Sequence, residues 1–497
     1  MPILLLTLLA CGPGEDPPVV FHDYPAPDAF TPPAGPGGPA QSYDAAALFE
    51  HCAYLLGGEG DAQHHNLVVM HDGYLLNPWA PEDGGGGITF FEFDDPCNPT
   101  KVGEGWSDVM RESHSMAIGR VGDREYLAVD YHLDGDNGGI GFWDITDRTA
   151  PVWVSELALP DYHYPDAYFR VALSTFWQGD ILYVSSGLSG VFVVDASDPL
   201  NPAILEQYSV IGHMVGSFHV IGNVGMASSA GLARTIFYDV SDPTVLEPIA
   251  GGEFNVSDPE GEMANYYFSN VGGAWGLFAR KDDGGGPILY DITDPSEPTW
   301  LGSALNDDGA GGYIFRHEQY LFQGESDWAT IFDASDPTAP VEVARLDLQG
   351  DLDTITPIGN VAVLAVDAGA NDGQATAVAP WDTQPDARGP RIELTNPADG
   401  DTWVATTARV GLSFDEMVEW ASVFEGSVRV WADDGAAVPG RFNVQESIVN
   451  FTPDEPLRTD TTYIVEVPAG GVTDISGNPT EDTLRFAFST GAEVIEP

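Results

Sequence analysis

Positive charge is scarce in this sequence. Its 497 residues include 18 lysines and arginines against 77 aspartates and glutamates, so the formal net charge is −59. Only two lysines occur, Lys101 and Lys281. A chain this acidic, with no cluster of basic residues, repels phosphate backbones and anionic lipid headgroups. Nucleic-acid binding and purely electrostatic attachment to a membrane are therefore excluded.

Long apolar runs and cysteines are also few. The longest apolar run has about nine residues and lies at the N-terminus, whereas a membrane-spanning helix requires roughly 20. The three cysteines, Cys11, Cys52 and Cys97, show no CxxC spacing typical of metal sites. The sequence also contains no HExxH pair, nucleophile elbow, phosphate loop or dinucleotide fingerprint. The common enzyme motifs therefore give no indication of catalysis.

The N-terminus resembles a bacterial lipoprotein signal peptide. An apolar run leads into Leu8-Leu9-Ala10-Cys11, which resembles a lipobox, in which the cysteine is acylated after cleavage. The resemblance implies that residues 1–11 form a signal peptide with its lipobox and that Cys11 is lipidated. The segment before the apolar run is short and uncharged, which a misassigned start codon would explain. An incidental cysteine in a stray apolar leader is the alternative.

Residues 12–44 are predicted to form a tether. Residues 12–40 contain 14 glycines and prolines, a composition that favours neither helix nor sheet. We therefore expect a lipid-anchored protein outside the cytoplasm, at a bacterial outer membrane or cell surface. In that oxidising compartment Cys52 and Cys97 could form a disulfide, with two buried free thiols as the alternative.

A repeated motif dominates the middle of the chain. It reads apolar, acidic, two variable residues, then aspartate and usually proline. The first acidic residues of the clear copies, spaced by 42 to 52 residues, are Glu92, Asp144, Asp195, Asp239, Asp291 and Asp333. Asp382 begins a degenerate seventh copy. Seven units of about 48 residues, each with short β-rich runs and glycine-rich turns, predict an all-β fold with a seven-bladed β-propeller over residues 45–388.

The acidic residues of the motif are expected to cap turns. An aspartate side chain can accept the backbone N–H two residues later, and the following proline presets the turn conformation. Seven copies of one carboxylate fit this role better than a catalytic or metal-binding role. Such turns also explain part of the negative charge, for which adaptation to salty surroundings is the other explanation.

The repeats resemble the LVIVD repeat family of bacterial and archaeal surface proteins. The copy most similar to that pattern is Phe192-Val193-Val194-Asp195, and the resemblance covers about 340 residues, from 45 to 388. It implies an extracytoplasmic propeller. The family carries no established activity, so the resemblance assigns no catalytic residues.

The C-terminal segment, residues 389–491, lacks the repeat. Apolar residues alternate at Val410, Leu412 and Phe414, which predicts half-buried strands. Together with the turn at residues 474–478, the segment resembles the bacterial Ig-like domain of S-layer and adhesive proteins. The resemblance implies an Ig-like β-sandwich that serves as a spacer or docking unit. Residues 492–497 are predicted to be a short tail.

One regularity predicts a binding site in the propeller. Hairpin glycines in four units are preceded, eight or nine residues earlier, by a histidine or an arginine. The residues of this predicted channel-mouth site are His65 (with His64 beside it), His114, Arg170 and His213. Imidazole and guanidinium groups there would suit an anionic ligand, or a metal if the histidines are neutral. Ordinary residues at strand edges, stacked on aromatic rings, are the alternative.

Residues 134–138, Asp-Gly-Asp-Asn-Gly, resemble the start of a calcium loop. No downstream bidentate acid follows, so a plain hairpin turn is favoured. We therefore expect no cofactor and assign no metal ligands, with Ca²⁺ or another divalent cation as the alternative.

Together these features predict a non-enzymatic binding or adhesion protein of the cell envelope. The propeller would recognise an extracellular or envelope protein or a glycan. A propeller hydrolase or lyase with a histidine-lined, metal-dependent site is one alternative, and a structural envelope component is another. In an enzyme, the histidines and nearby aspartates should converge within a few ångströms and show shifted pKa values.

Overall fold

The computed structural model describes residues 38–58, 67–81, 84–134, 137–163, 170–171 and 173–492. The predicted signal peptide with Cys11, most of the tether, His65 and most of the C-terminal tail lie outside the described residues. The described part contains 35 strands and two short 3-10 helices, Ala45–Ala47 and Trp420–Ser422. None of its helices is long and apolar enough to cross a bilayer.

The strands of the first six blades follow one another along the chain, from the innermost to the outermost. Blade 1 comprises β2 (Val69–His71), β3 (Tyr74–Trp79), β4 (Gly86–Glu92) and β5 (Thr100–Ser107). Blade 2 comprises β6 (Ala117–Val121), β7 (Arg124–Asp134), β8 (Asn137–Asp144) and β9 (Val152–Ala158). Blade 3 comprises β10 (Ser174–Gln178), β11 (Ile181–Ser185), β12 (Val191–Asp195) and β13 (Ala203–Tyr208).

The next three blades have the same plan. Blade 4 comprises β14 (Val215–Ile221), β15 (Val224–Ser229), β16 (Arg234–Asp239) and β17 (Glu247–Asn255). Blade 5 comprises β18 (Tyr266–Gly272), β19 (Trp275–Arg280), β20 (Pro287–Asp291) and β21 (Thr299–Ser303). Blade 6 comprises β22 (Ile314–His317), β23 (Tyr320–Gly324), β24 (Ala329–Asp333) and β25 (Val341–Leu346).

Blade 7 closes the ring with a strand from the start of the described chain. Its inner strands are β26 (Thr354–Ile358), β27 (Val361–Ala365) and β28 (Thr376–Pro380), and its outermost strand is β1 (Ala53–Tyr54). β1 pairs with β28 in antiparallel fashion. Cys52, next to β1, forms a disulfide with Cys97 in the turn after β4. Blade 7 is therefore tied to blade 1 through the backbone and through a covalent bond.

Close packing between blades requires small residues at some positions. Trp177 of blade 3 is buried against blade 2, where its indole lies over Gly119. A Cβ atom at Gly119 would come within 2.3 Å of that ring. Phe142 of blade 2 contacts the same indole edge-on, with ring centroids 5.9 Å apart. The large aromatic residues thus fill the space between blades that the glycines leave open.

The repeated aspartates cap turns, as predicted. The first acid of a copy accepts the backbone N–H two residues later, as Asp195 does from Ser197 at 2.9 Å and Asp291 does from Thr293 at 2.9 Å. The second aspartate does the same, as Asp198 does from Leu200 at 3.1 Å. In blades 2 to 6 these turns connect the third and fourth strands.

The C-terminal domain is a two-sheet β-sandwich. One sheet contains β29 (Ile392–Asn396), β30 (Val410–Phe414), β33 (Ile448–Pro453) and β32 (Gly440–Gln445) in that order. The other contains β31 (Arg429–Ala432), β34 (Thr462–Val467) and β35 (Leu484–Ser489). Phe414, Phe451 and Phe488 belong to the apolar core between the sheets. The predicted fold class, a propeller followed by a sandwich, is confirmed.

The sandwich covers one face of the propeller. We call it the turn face, because it carries the hairpins between the first and second strands and the capped turns after the third. Asn450 lies at the centre of the contact: its amide donates to Val220 at 2.8 Å and accepts from the N–H of Gly222 at 2.8 Å. Arg441 pairs with Asp180 at 2.8 Å. The opposite face, which we call the open face, carries the remaining loops of each blade.

Candidate functional site

The central channel is closed from the turn face by the hairpin between β32 and β33. At its tip, the Gln445 amide donates to the carbonyl of Thr175 at 3.1 Å, and Asn270 donates to the carboxylate of Glu446. A cavity between this tip and the channel wall measures about 30 Å³. That volume holds one or two water molecules. The channel therefore offers no space for a larger ligand beside the hairpin.

Glu446 is partly buried, and it lies at the edge of this cavity. Burial raises its pKa from 4.5 to about 7, and the hydrogen bond from Asn270 offsets only part of that effect. Near neutral pH the Glu446 side chain at the hairpin tip therefore exists in both protonated and ionised forms.

We expect the stability of the protein to rise as the pH falls from 8 to 5.5, and Glu446→Gln to remove part of that rise. Because the pKa of Glu446 is higher in the folded state than in the unfolded state, folding favours the protonated form. Its stabilising contribution is complete below the unfolded pKa and is lost as the pH rises through the folded value near 7. The glutamine should reduce the difference in unfolding free energy between the two pH values by on the order of 2 kcal/mol.

Denaturant unfolding at pH 5.5 and pH 8 measures this difference. Glu206→Gln, which changes an exposed glutamate on β13, is the control and should keep the wild-type pH dependence. If Glu446→Gln keeps the wild-type pH dependence of the unfolding free energy, Glu446 does not have the raised pKa that we assign to it.

A cluster of charged groups lies at the other end of the channel, on the open face. Arg111 and Asp130, both buried, form an ion pair at 2.9 Å. His114 Nε2 lies 3.1 Å from Glu112 Oε1. Lys281 Nζ, from the open-face loop of blade 5, lies 4.0 Å from Asp353 Oδ1. Loops that are far apart in the sequence thus meet at this mouth.

Blade 7 completes this mouth cluster. The Asp367 side chain shares a hydrogen bond with Glu112. Burial raises the pKa of Asp353 to about 7, and Lys281 only partly offsets the burial and the nearby carboxylates. Burial would lower the pKa of His114, but the charge of Glu112 outweighs it and the pKa is raised. Glu112 therefore favours the protonated form of His114, and the cluster joins the open-face loops.

Three of the four residues of the predicted channel-mouth site are described, and each lies in a different environment. His114 lines the channel cavity, with its ring 5.4 Å from that of Phe268. His213 is buried, and burial together with Arg234 lowers its pKa to about 4. Arg170 is exposed and forms a backbone bridge with His163, and His65 lies outside the described residues.

The acids that surround His114 were not recognised from the sequence. Glu112 is two residues away, but Asp353 and Asp367 follow at distances of more than 230 residues, and no motif links them. The loop predicted as a turn or a calcium loop joins β7 to β8, which pair as far as Asp134 and Asn137. The two residues between them are not described.

Exposed apolar side chains line part of the open face. On the loops of blades 3 to 5 they are Leu188 (45% exposed), Ile211 (100%), Leu232 (38%) and Met263 (71%). We call these four residues the apolar arc. Their loops are neighbours, since backbone bridges join Gly187 to Val215 and Leu232 to Tyr266. Large apolar side chains clustered on surface loops are typical of interaction sites.

These features define a β-propeller with one face covered by a second β domain and the other face open. Residues 386–490 match the family model of the bacterial Ig-like domain. The chain therefore carries a bacterial Ig-like domain at its C-terminus, as the sequence resemblance implied. No curated protein matches the sequence.

Several solved structures are similar to the chain. A protein from Lactobacillus plantarum aligns with a TM-score of 0.45 at 12% identity, over 59% of this chain and 94% of the other. BamB from Moraxella catarrhalis aligns with a TM-score of 0.40 at 10% identity, over 66% and 96%. The WD40 β-propeller domain of Doa1 aligns with a TM-score of 0.43 at 11% identity, over 66% and 95%.

Proposed function

We propose that this protein is a non-enzymatic, lipid-anchored binding protein of the bacterial cell surface, whose open face recognises a protein partner. The observation that carries the proposal is the apolar arc, which lies on the face that the Ig-like domain leaves uncovered. A bacterial Ig-like domain is compatible with a surface role. The lipobox ending at Cys11 and the LVIVD-type repeats support an anchored position outside the cytoplasm.

The chemistry of the arc favours a protein over a glycan as the partner. Its side chains are aliphatic or thioether groups, which gain free energy by losing contact with water, at about 25 cal/mol per Å² of buried apolar area. Glycans are bound mainly through hydrogen bonds and aromatic stacking, which the arc does not supply.

The enzyme alternative has one observation in its favour. His114 lies against Glu112 and near other acids with shifted pKa values, a pattern that occurs at catalytic sites. However, these groups are already paired with one another, and the adjacent cavity holds only one or two water molecules. Binding at the open face is therefore the better-supported function.

Site-specific photo-crosslinking in the native bacterium tests the proposal. A photo-reactive amino acid replaces Ile211 in the arc or, as the control, Leu205, which is 41% exposed on the outer strand β13 of the same blade. We expect a discrete crosslinked protein from position 211 only, and at least a tenfold weaker band when Leu232→Asp and Met263→Asp are added. Equal crosslinking from position 205, or a band that the aspartates do not weaken, would contradict the proposal.

A further inference from the structure

A buried acidic pocket lies where three parts of the chain meet. His317 ends β22 in blade 6, Asp386 lies between the propeller and the sandwich, and Glu416 follows β30 in the Ig-like domain. Their side chains are 5%, 8% and 1% exposed. One nitrogen or oxygen atom from each residue lies within 4.8 Å of the corresponding atoms of the other two. This spacing is compatible with one metal ion held by all three residues, although Asp386 Oδ2 lies 3.8 Å from Nε2 of His317 and Glu416 lies on the Nδ1 side.

Most oxygens of the carboxylates in this junction pocket lack a hydrogen bond, but Asp386 Oδ1 accepts from the backbone N–H of Arg388 at 3.1 Å. His317 Nδ1 is 3.1 Å from Glu416 Oε2. Nevertheless, within the described part of the chain neither oxygen of Glu416 has a hydrogen bond of acceptable geometry, and the same is true of Asp386 Oδ2. Arg388, two residues from Asp386, instead pairs with Glu318 at 2.6 Å and with Asp415 at 2.9 Å. Buried carboxylates without donors are costly unless a cation compensates them.

A further carboxylate increases the excess of negative charge. Asp474 of the Ig-like domain is fully buried, and its charge interacts with those of Glu416 and Asp386. Its oxygens are already occupied, because they accept from the N–H groups of Ser476 and Asn478 at 2.8 Å each and from the Asn478 amide at 2.9 Å. Three carboxylates thus surround one imidazole, and two of them direct free oxygens into the pocket.

Two comparable groups elsewhere in the described chain have a lysine or an arginine beside their carboxylates. In the group of His71, Asp72 and Glu125, the two acids both pair with Arg148. In the group of Asp351, Asp353 and Asp367, the nearest cation is Lys281, 4.0 Å from Asp353. The junction pocket differs from both because its carboxylates are buried without a lysine or arginine.

We propose that His317, Asp386 and Glu416 bind one divalent metal ion of the Zn²⁺ type. One imidazole nitrogen with two carboxylate oxygens is a donor set that suits Zn²⁺, whereas Ca²⁺ prefers oxygen ligands throughout. The ion compensates the excess negative charge. It also ties blade 6, the interdomain segment and the Ig-like domain together, and so holds the sandwich on the turn face. This role is independent of binding at the open face.

Zinc titration of the full-length protein tests the site. The protein is freed of metal with a chelator, ZnCl2 is added, and bound zinc and the unfolding temperature are measured. We expect one tightly bound equivalent that raises the unfolding temperature. Glu416→Gln and Asp386→Asn, which preserve shape and remove charge, should each weaken zinc binding at least tenfold. Glu393→Gln, which alters an interdomain glutamate paired with Arg316 outside the pocket, should bind zinc like the wild type.

Two results would overturn the proposal. One is the absence of a tightly bound equivalent in the wild type, and the other is wild-type affinity in Glu416→Gln. If protons rather than a metal ion neutralise the carboxylates of the pocket, Glu416→Gln will be more stable than the metal-free wild type. In that case zinc will not change the unfolding temperature of the wild type. Limited proteolysis near residue 386 gives a second measurement, since bound zinc should slow cleavage there in the wild type but not in Asp386→Asn.

Discussion

Replacing Gly411 by leucine is expected to detach the Ig-like domain from the propeller. Gly411 lies in β30, directly against the hairpin that joins β14 to β15 in blade 4. A Cβ atom there would come within 2.0 Å of the backbone nitrogen of Gly222 and 2.4 Å of the carbonyl carbon of Ile221. Both contacts are to backbone, and the nitrogen of Gly222 already donates to Asn450. Neither side can move away without breaking the interface.

The cost of this clash should exceed about 3 kcal/mol, the upper end of ordinary overpacking, because main chain rather than side chain has to move. Small-angle scattering should show a larger radius of gyration, and proteases should cut between the domains. Gly400→Asn is the control, because a Cβ at Gly400 meets no atom within 4 Å and asparagine tolerates its positive φ. If the Gly411→Leu protein stays compact and resistant to proteases, the interface between the domains does not depend on the close contact of Gly411 with the backbone of Ile221 and Gly222.

Replacing Cys52 and Cys97 by serine is expected to lower the free energy of unfolding by about 3–4 kcal/mol, the loop-entropy value for closing a loop of this length. The two cysteines are 45 residues apart in the sequence. The physical reason for a large effect is that β1, the closing strand, has only two residues. A strand this short contributes few backbone hydrogen bonds, so the covalent bond helps to keep β1 beside β28.

Chemical unfolding with and without a reductant measures this contribution. Reduction of the wild type should lower its stability to that of the double serine variant, and the reductant should not affect the double variant. A double variant as stable as the oxidised wild type would show that ring closure does not depend on the disulfide.

The local parts of the fold could be predicted from the sequence. The motif around Asp195 defines a turn through hydrogen bonds between residues two positions apart, and its recurrence indicated the number of blades. Alternation from Val410 to Phe414 likewise predicted a strand of the sandwich. The closing strand β1 was not predicted, because two residues carry no detectable periodicity and their partner, β28, lies more than 300 residues away.

The candidate sites were only partly predictable. Spacing from a hairpin glycine selected both His114, which lines the channel cavity, and His213, which is buried but does not line that cavity. Ile211 and Met263 could not be recognised as surface residues, because apolar residues next to strands are usually buried. Their exposure follows from the loops on which they lie, which no local pattern reveals.

The sequence by itself determined the elements of this protein: an all-β chain, repeated blades with capped turns, and a C-terminal Ig-like domain. These features depend on hydrogen bonds and side-chain alternation within a few residues. Only the tertiary structure decided which face of the propeller the sandwich covers, because that choice depends on contacts such as Gln178 with Asn450 at 3.1 Å, 272 residues apart. The junction pocket and the apolar arc both follow from that docking, since one is buried by it and the other is left exposed.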